Sequence, residues 1–181
     1  MDEPSAKDLL PELFRTWFAS RGWEPRQHQL ELLKRTSEGH SCLLIAPTGA
    51  GKTLAGFLPS LVVLTSAHRR TFAGRSHGIR TLYISPLKAL AVDIERNLAK
   101  PVSEMGLKIS IETRTGDTPE HKRRRQKLAP PDILLTTPEQ LALLLASRDA
   151  ARFFSDLKYV IFDELHSLVT SKRGHLLSLV L

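Results

Sequence analysis

A loop that binds phosphate groups is predicted by the stretch Ala46-Pro47-Thr48-Gly49-Ala50-Gly51-Lys52-Thr53. Gly49 and Gly51 allow the backbone to turn tightly and to aim its N–H groups at an anion. The ammonium group of Lys52 can reach the β- and γ-phosphates of a nucleotide, and the hydroxyl of Thr53 can hold Mg²⁺. The pattern departs from G-x-x-x-x-G-K-[ST] only at its first position, which is Ala46 instead of glycine.

Two adjacent carboxylates, Asp163 and Glu164, follow the apolar run Val160-Ile161-Phe162. Because such a run predicts a buried strand, both carboxylates are expected at its carboxyl end. There Asp163 can hold Mg²⁺ through water, and Glu164 can polarise the water that attacks a γ-phosphate. His166 is close enough to act in the same region. Each residue alone is compatible with an ordinary charged strand end, but together with the Gly-Lys-Thr triplet they indicate nucleotide hydrolysis.

Alternating strands and helices from residue 42 onward are the elements that must position these groups. Strands are expected at 42–46, 80–85, 108–112, 132–136 and 158–163. Helices are expected at 52–65, 87–99, 119–128, 138–147 and after 171. The alternation predicts an α/β domain with a mostly parallel sheet and helices on both faces. Ligands of such sheets bind at the carboxyl ends of the strands.

Two further helices are predicted ahead of this region, over 7–19 and from Pro25 onward. Gln29 lies on the second of them, and its amide can donate to and accept from the edge of an adenine. A surface glutamine on a helix is the ordinary alternative. The segment 67–79 lacks periodicity and is rich in His, Arg, Gly and Ser, which predicts a loop.

Three predicted strand exits carry a hydroxyl residue followed by proline, at Ser85-Pro86, Thr118-Pro119 and Thr137-Pro138. The hydroxyl suits a helix N-cap and the proline suits the first helical position. Gln140 has the spacing for a capping box with Thr137. Good helix capping explains much of this pattern.

The same three helix starts are expected at the edge of the sheet that carries the phosphate loop. Helix N-termini favour anions, and Lys88, Arg114 and the basic tract 122–125 add positive charge. This arrangement predicts a track for the phosphates of one nucleic-acid strand, although the tract 122–125 by itself is more typical of a solvated helix face. A net charge of +7 also favours polyanions, but only weakly.

Cys42 is the one cysteine of the chain, and it falls in the first predicted strand. We expect it to be a small buried residue, in a protein of the reducing cytoplasm. The acidic start Met1-Asp2-Glu3-Pro4 is unlike a signal peptide. The sequence has no apolar run of the roughly 18 residues that a transmembrane helix needs, so no membrane partner is expected.

Taken together, these motifs resemble those of the first motor domain of a superfamily 2 helicase. Residues 46–53 resemble motif I, residues 85–90 resemble motif Ia, and residues 136–140 resemble motif Ib. Residues 163–166 resemble motif II in its DEXH form, and Gln29 with Pro25 resembles the Q motif. The amino-acid sequences of 83–93, 114–119 and 137–141 resemble those of the large helicase-related (Lhr) family, and within it those of the bacterial ligase-associated DEXH-box helicases.

The resemblance implies a RecA-like P-loop NTPase domain that uses ATP and Mg²⁺. It implies translocation along single-stranded DNA with 3′ to 5′ unwinding in a repair setting. It divides the chain into a Q-motif segment over 1–39 and a first motor domain over 40–181 that stops before motif III. A second motor domain, which supplies an arginine finger, is the expected partner, so this chain alone is expected to hydrolyse ATP very slowly.

The resemblance also assigns the site residues. Catalytic roles fall to Lys52, Asp163, Glu164 and His166, and Mg²⁺ is expected on Thr53 and Asp163. Nucleotide contacts fall to Gln29, Pro47, Thr48, Gly49, Ala50, Gly51, Lys52 and Thr53. Nucleic-acid contacts fall to Ser85, Pro86, Lys88, Arg114, Gly116, Thr137, Pro138 and Glu139. Two other functions remain open, an RNA helicase and a nucleotide-binding module without motor activity, because phosphate contacts distinguish DNA from RNA poorly.

Overall fold

The computed structural model describes residues 9–47, 49–70, 78–169 and 171–180 of the chain. Two compact units make it up: the first contains Met1–Arg70 and Pro101–Lys108, the second Thr71–Lys100 and Ile109–Leu181. The functional division expected from the sequence, at residues 39 and 40, stays a prediction. Within the described ranges, no helix combines the length and the apolar composition needed to cross a lipid bilayer.

The first unit contains the helices α1 (Glu12–Ser20), α2 (Gln27–Ser37) and α3 (Lys52–Arg70), and α2 packs against α3. All three were expected from helical spacing of apolar residues. The predicted start of the first helix at residue 7 is wrong for the described residues 9–11, since Pro11 is the N-cap and α1 begins at Glu12. Their buried side chains include Phe14, Trp17, Phe18, Leu30, Leu33, Phe57, Leu58, Leu61 and Leu64. Helix α3 continues five residues beyond its predicted end at 65, because no glycine or proline interrupts 66–70. The predicted loop over 67–79 is therefore wrong for 67–70, and its part over 71–77 lies outside the described residues.

Residues 42–46 do not form the strand predicted for them. Leu43 is 72% exposed and Ile45 is 87% exposed. Cys42 is an exposed free thiol, not the expected buried one. A strand requires a neighbour for its backbone N–H and C=O groups, and no described strand pairs with this segment. An apolar run signals a strand only where such a neighbour exists.

The second unit is built on the strands β1 (Thr81–Ile84), β2 (Ile111–Arg114), β3 (Ile133–Thr136) and β4 (Tyr159–Phe162). They form one sheet in the order β2-β3-β1-β4, and every pair is parallel. The predicted parallel α/β fold is confirmed. Strand β2 begins three residues later than predicted, since the side chain of Asp132 holds Ser110 just ahead of it.

Six further helices follow or connect these strands. They are α4 (Lys88–Glu104), α5 (Glu120–Leu128), α6 (Pro138–Leu145), α7 (Ala150–Phe153), α8 (Leu165–Val169) and α9 (Lys172–Val180). Helix α4 passes through Pro101 and ends beyond its predicted limit at 99. The buried core of the sheet and its helices consists of Ile79, Leu82, Ile84, Leu134, Leu141, Leu144, Phe153, Leu168 and Leu177.

The four strands end at the same level. Ile84 stands opposite Thr136 of β3 and Phe162 of β4, and Arg114 stands opposite Thr136. The next residue of each strand therefore lies at one edge of the sheet. We call this the carboxyl edge, and it consists of Ser85, Thr115, Thr137 and Asp163.

Candidate functional site

The phosphate loop of the first unit opens directly into α3, which begins at Lys52. Gly49 and Gly51 have φ angles of 78° and 74°, in the left-handed region that a side chain would strain. The tight turn predicted from these glycines is confirmed. Lys52 and Thr53 are half-buried in the first turn of a 19-residue helix, where unpaired N–H groups and the helix dipole favour an anion. Thr48, also expected to contact nucleotide, lies outside the described residues.

Gln29 connects the start of α2 to the phosphate loop. Its Oε1 accepts a hydrogen bond of 2.9 Å from the Arg26 N–H, and its Nε2 donates one of 3.4 Å to the Gly51 carbonyl. A Cβ atom at residue 51 would come within 3.0 Å of this Nε2. Gln29 is 3% exposed, so the alternative of a surface glutamine is wrong. The amide keeps one donor and one acceptor position, and its contact with adenine stays a prediction.

Asp163 of the second unit stands at the carboxyl edge as predicted. Its N–H donates to the Ile84 carbonyl at 3.0 Å, which continues the β1–β4 pairing by one residue. Its Oδ1 accepts from the Glu164 N–H at 2.9 Å, and its Oδ2 accepts from the Tyr83 hydroxyl at 2.6 Å. A carboxylate offers about four acceptor positions, so about two remain for water or a cation.

This carboxylate fits Mg²⁺ by its chemistry. Mg²⁺ in phosphate-binding proteins takes one or two carboxylates and completes its shell with water and phosphate oxygens. Among the described residues, no group of three or more His, Cys, Asp and Glu side chains could enclose a metal. A cation at Asp163 would therefore complete its shell with oxygens from hydroxyl groups, a bound nucleotide and water.

Tyr83 is the partner of Asp163 that the sequence did not reveal. Burial, followed by the hydrogen bond to Asp163 and by its negative charge, raises the pKa of Tyr83 far above its ordinary value. The phenol therefore stays protonated and remains a donor. The only signal in the sequence that could have identified Tyr83 is its polar hydroxyl group in an otherwise apolar predicted strand, two residues before Ser85.

Glu164 is the one non-glycine residue in the described ranges with a positive φ angle, which is 47°. A left-handed conformation costs a side-chain-bearing residue about 1–2 kcal/mol, and such strain concentrates at functional sites. The Glu164 side chain is 37% exposed, and its Oε2 lies 3.3 Å from Nε2 of His166, an ion pair only when the histidine is protonated. It borders a groove of about 570 Å³ lined also by Pro86, Leu87, Leu90, Ser171 and Arg173. Water can therefore reach this carboxylate.

The eight residues expected to contact nucleic acid divide by burial. Ser85, Thr137 and Arg114 are 0%, 4% and 7% exposed. The two prolines beside these hydroxyls, Pro86 and Pro138, are buried as well. Lys88, Gly116 and Glu139 have accessible surface. The helix starts at the carboxyl edge thus offer a phosphate mainly an ammonium group and backbone.

The capping predicted for these helix starts is only partly present. Helix α6 begins with Pro138 after Thr137 as expected, but no side chain caps it, so the capping box with Gln140 is wrong. Gln140 is buried instead of exposed at the helix end. Helix α5 begins at Glu120 with Pro119 as its N-cap, and the Thr118 hydroxyl accepts a hydrogen bond from the Thr115 N–H.

Arg114 is buried against α5 and not open to solvent. Its Nη1 donates to the Arg123 carbonyl at 3.4 Å. Burial, and then the charge of Arg123, lower the pKa of Arg114. Arg123 in turn donates to the carbonyls of Thr115 and Gly116, at 3.2 and 2.7 Å. The tract 122–125 is therefore not a uniform solvated face, since Arg123 secures the loop after β2 while Arg124 and Arg125 are exposed.

Two cations at these helix starts are engaged in polar contacts. Nζ of Lys88 lies 2.9 Å from Oδ1 of Asp117, beside a groove of about 580 Å³. Arg173 donates to the Pro86 carbonyl at 2.6 Å and pairs with Glu139 at 2.6 Å, which connects the chain before α4 to the start of α6. Arg173 was missed because no motif surrounds it in the sequence.

Comparison with known proteins places these features in a family context. The family described as DEAD/DEAH box helicase matches residues 26–181. The Lhr helicase/probable uracil glycosylase of Mycolicibacterium smegmatis is 42% identical over 93% of this chain and 12% of its own length. The Lhr helicase/uracil glycosylase of Escherichia coli is 39% identical over 99% of this chain and 13% of its own length. The ATP-dependent helicase Lhr-Core of Methanocaldococcus jannaschii is 38% identical over 96% and 22%.

Solved structures agree with these relatives. The helicase Lhr of Mycobacterium smegmatis bound to ssDNA and AMP-PNP has a TM-score of 0.85 and 38% identity over 98% of this chain and 23% of its own. The DEAD-box helicase Mss116 bound to ssRNA and UDP-BeF has a TM-score of 0.78 at 24% identity, over 99% and 37%. The second likeness supports the RecA-like fold alone. The chain spans less than a quarter of the three curated relatives described above.

Proposed function

Because this chain belongs to the DEAD/DEAH box helicase family, we propose that it is the ATP-binding first motor domain of a DNA helicase. The full-length protein would couple ATP hydrolysis to movement along single-stranded DNA, with a second motor domain as the partner of this one. The similarity to Lhr helicases supports DNA over RNA as the substrate. The finer resemblance to ligase-associated helicases and the role in repair stay predictions.

The observation that carries this proposal is the pair of carboxylates at the carboxyl edge. Asp163 keeps open acceptor positions in a fixed orientation, which suits a Mg²⁺ ion bound to nucleotide phosphates. Glu164 follows it in a strained conformation with a solvent-accessible carboxylate, which suits activation of a water molecule. In the proposal, Lys52 binds the β- and γ-phosphates, and Thr53 supplies a hydroxyl to Mg²⁺.

ATP hydrolysis by the full-length protein, measured with oligothymidine, with oligouridine and without nucleic acid, tests this function. We expect oligothymidine to stimulate hydrolysis more strongly than oligouridine does. Stronger stimulation by oligouridine would favour the RNA helicase that the sequence left open. A rate indifferent to both strands would favour a nucleotide-binding module without motor activity.

Binding of single-stranded DNA by this chain is expected to depend steeply on salt. Each phosphate neutralised on a single strand contributes about −0.7 to the log–log slope, and about two to four contacts at the carboxyl edge give a slope of roughly −1.5 to −3. Lys88→Ala should remove one contact and reduce the slope by about 0.7. Fluorescence anisotropy with oligothymidine and with a mixed-sequence strand measures both values.

A substitution of Asp117, the ion-pair partner of Lys88, should change DNA affinity in the opposite direction. Asp117 binds the Lys88 ammonium group that a DNA phosphate would otherwise bind, so Asp117→Asn should strengthen DNA binding by up to about fivefold, the scale of an exposed ion pair. Arg124→Ala is the matched control, because Arg124 is exposed and paired with Glu120 on its own helix. A flat salt dependence, or an Arg124→Ala effect as large as that of Lys88→Ala, would contradict the proposed track.

A further inference from the structure

The hydroxyl group of Tyr83 contacts a residue of the carboxyl edge. It donates a hydrogen bond of 2.6 Å to Oδ2 of Asp163. Tyr83 is 2% exposed, so water does not compete for this contact. A phenol has one proton to donate, and here that proton goes to Asp163.

The carboxylate of Asp163 is held at both oxygens. The Glu164 N–H donates to Oδ1 at 2.9 Å, while Tyr83 donates to Oδ2. Two donors on two oxygens fix the plane of the carboxylate and leave about one acceptor direction on each oxygen. Partners that hydrogen bond to a metal-binding carboxylate set its orientation in this way.

We propose that Tyr83 is a positioning residue that orients Asp163 for Mg²⁺. The proposal rests on the proposed function of Asp163 as a metal ligand. Tyr83 is the only one of the two donors that a substitution can remove, since the other belongs to the backbone.

Tyr83→Phe removes the hydroxyl and keeps the ring. Tyr159→Phe is the matched control, since the chain has two tyrosines and the Tyr159 hydroxyl makes no hydrogen bond to another described residue. Calorimetry with AMP-PNP, in Mg²⁺ and in EDTA, compares both variants with the wild type. We expect Tyr83→Phe to weaken binding about tenfold in Mg²⁺, the lower range for a lost partner of a metal ligand, and to leave binding in EDTA unchanged. Tyr159→Phe should match the wild type in both.

The ratio of the two affinities separates positioning from folding. A variant that was merely unstable would bind AMP-PNP less well in EDTA too. An unchanged ratio in Tyr83→Phe, with normal AMP-PNP binding by the wild type, would overturn this proposal alone. A wild type whose AMP-PNP affinity did not depend on Mg²⁺ would overturn the proposed role of Asp163 and this inference with it.

Discussion

Lys52→Ala is expected to abolish measurable binding of ATP to this chain. Lys52 opens α3 after a loop whose two glycines adopt left-handed conformations, so its ammonium group is the one mobile cation that the loop carries toward bound phosphates. Hydrogen bonds to charged groups contribute about 1.5–3 kcal/mol each, and losing two of them weakens binding by about 10²- to 10⁴-fold. Calorimetry with AMP-PNP in Mg²⁺ measures the loss directly.

Lys100→Ala provides the control for this change, since Lys100 is an exposed lysine on α4 outside the loop. It should bind AMP-PNP like the wild type. Thr53→Ala distinguishes the contribution of the metal to AMP-PNP binding from that of the phosphate contacts. It should weaken AMP-PNP binding in Mg²⁺ and leave binding in EDTA unaltered. Unchanged affinity of Lys52→Ala would refute the placement of the phosphate site at 46–53.

Residues whose side-chain type and motif indicate a function could be predicted from the sequence. Asp163 and Glu164 were predicted at a strand end and lie there, and Gly49 and Gly51 turn the loop as expected. The missed residues act through partners that are distant in sequence. Tyr83 matters because β1 lies beside β4, and Arg173 because it reaches the carbonyl of Pro86. Neither pairing leaves a pattern along the chain.

The fold was predictable where each element finds its neighbour in the described chain. Strands β1, β3 and β4 agree with their predictions within one residue at each end. The segment 42–46 has the same apolar composition, but it lies unpaired and exposed. Local composition gives the tendency to form a strand, while pairing decides whether the strand forms. Burial was equally hard to foresee, since Ser85 and Thr137 look like polar surface residues in the sequence but are enclosed at the carboxyl edge.

Glu164→Gln is expected to keep nucleotide binding and to lose hydrolysis in the full-length protein. Glutamine has nearly the same shape, but its neutral amide cannot take a proton from water. General-base catalysis contributes about 10²- to 10⁴-fold in rate, and the loss should fall in this range. The neighbouring Asp163 keeps its two donors, the Tyr83 hydroxyl and the backbone N–H of residue 164, so Mg²⁺ binding should survive. Steady-state ATPase rates, together with AMP-PNP calorimetry, measure the two properties separately.

Asp163→Asn should behave differently, because it removes the proposed metal ligand and therefore weakens AMP-PNP binding in Mg²⁺ as well as hydrolysis. Glu12→Gln is the matched control for the charge change, since Glu12 is exposed on α1, and it should leave both properties unchanged. The backbone at residue 164 has a strained φ of 47°. Glutamic acid and glutamine are equally strained there, so the Glu164→Gln substitution does not change stability by relieving strain. Hydrolysis by Glu164→Gln at the wild-type rate would show that another group activates the water and that the strained position serves a different purpose.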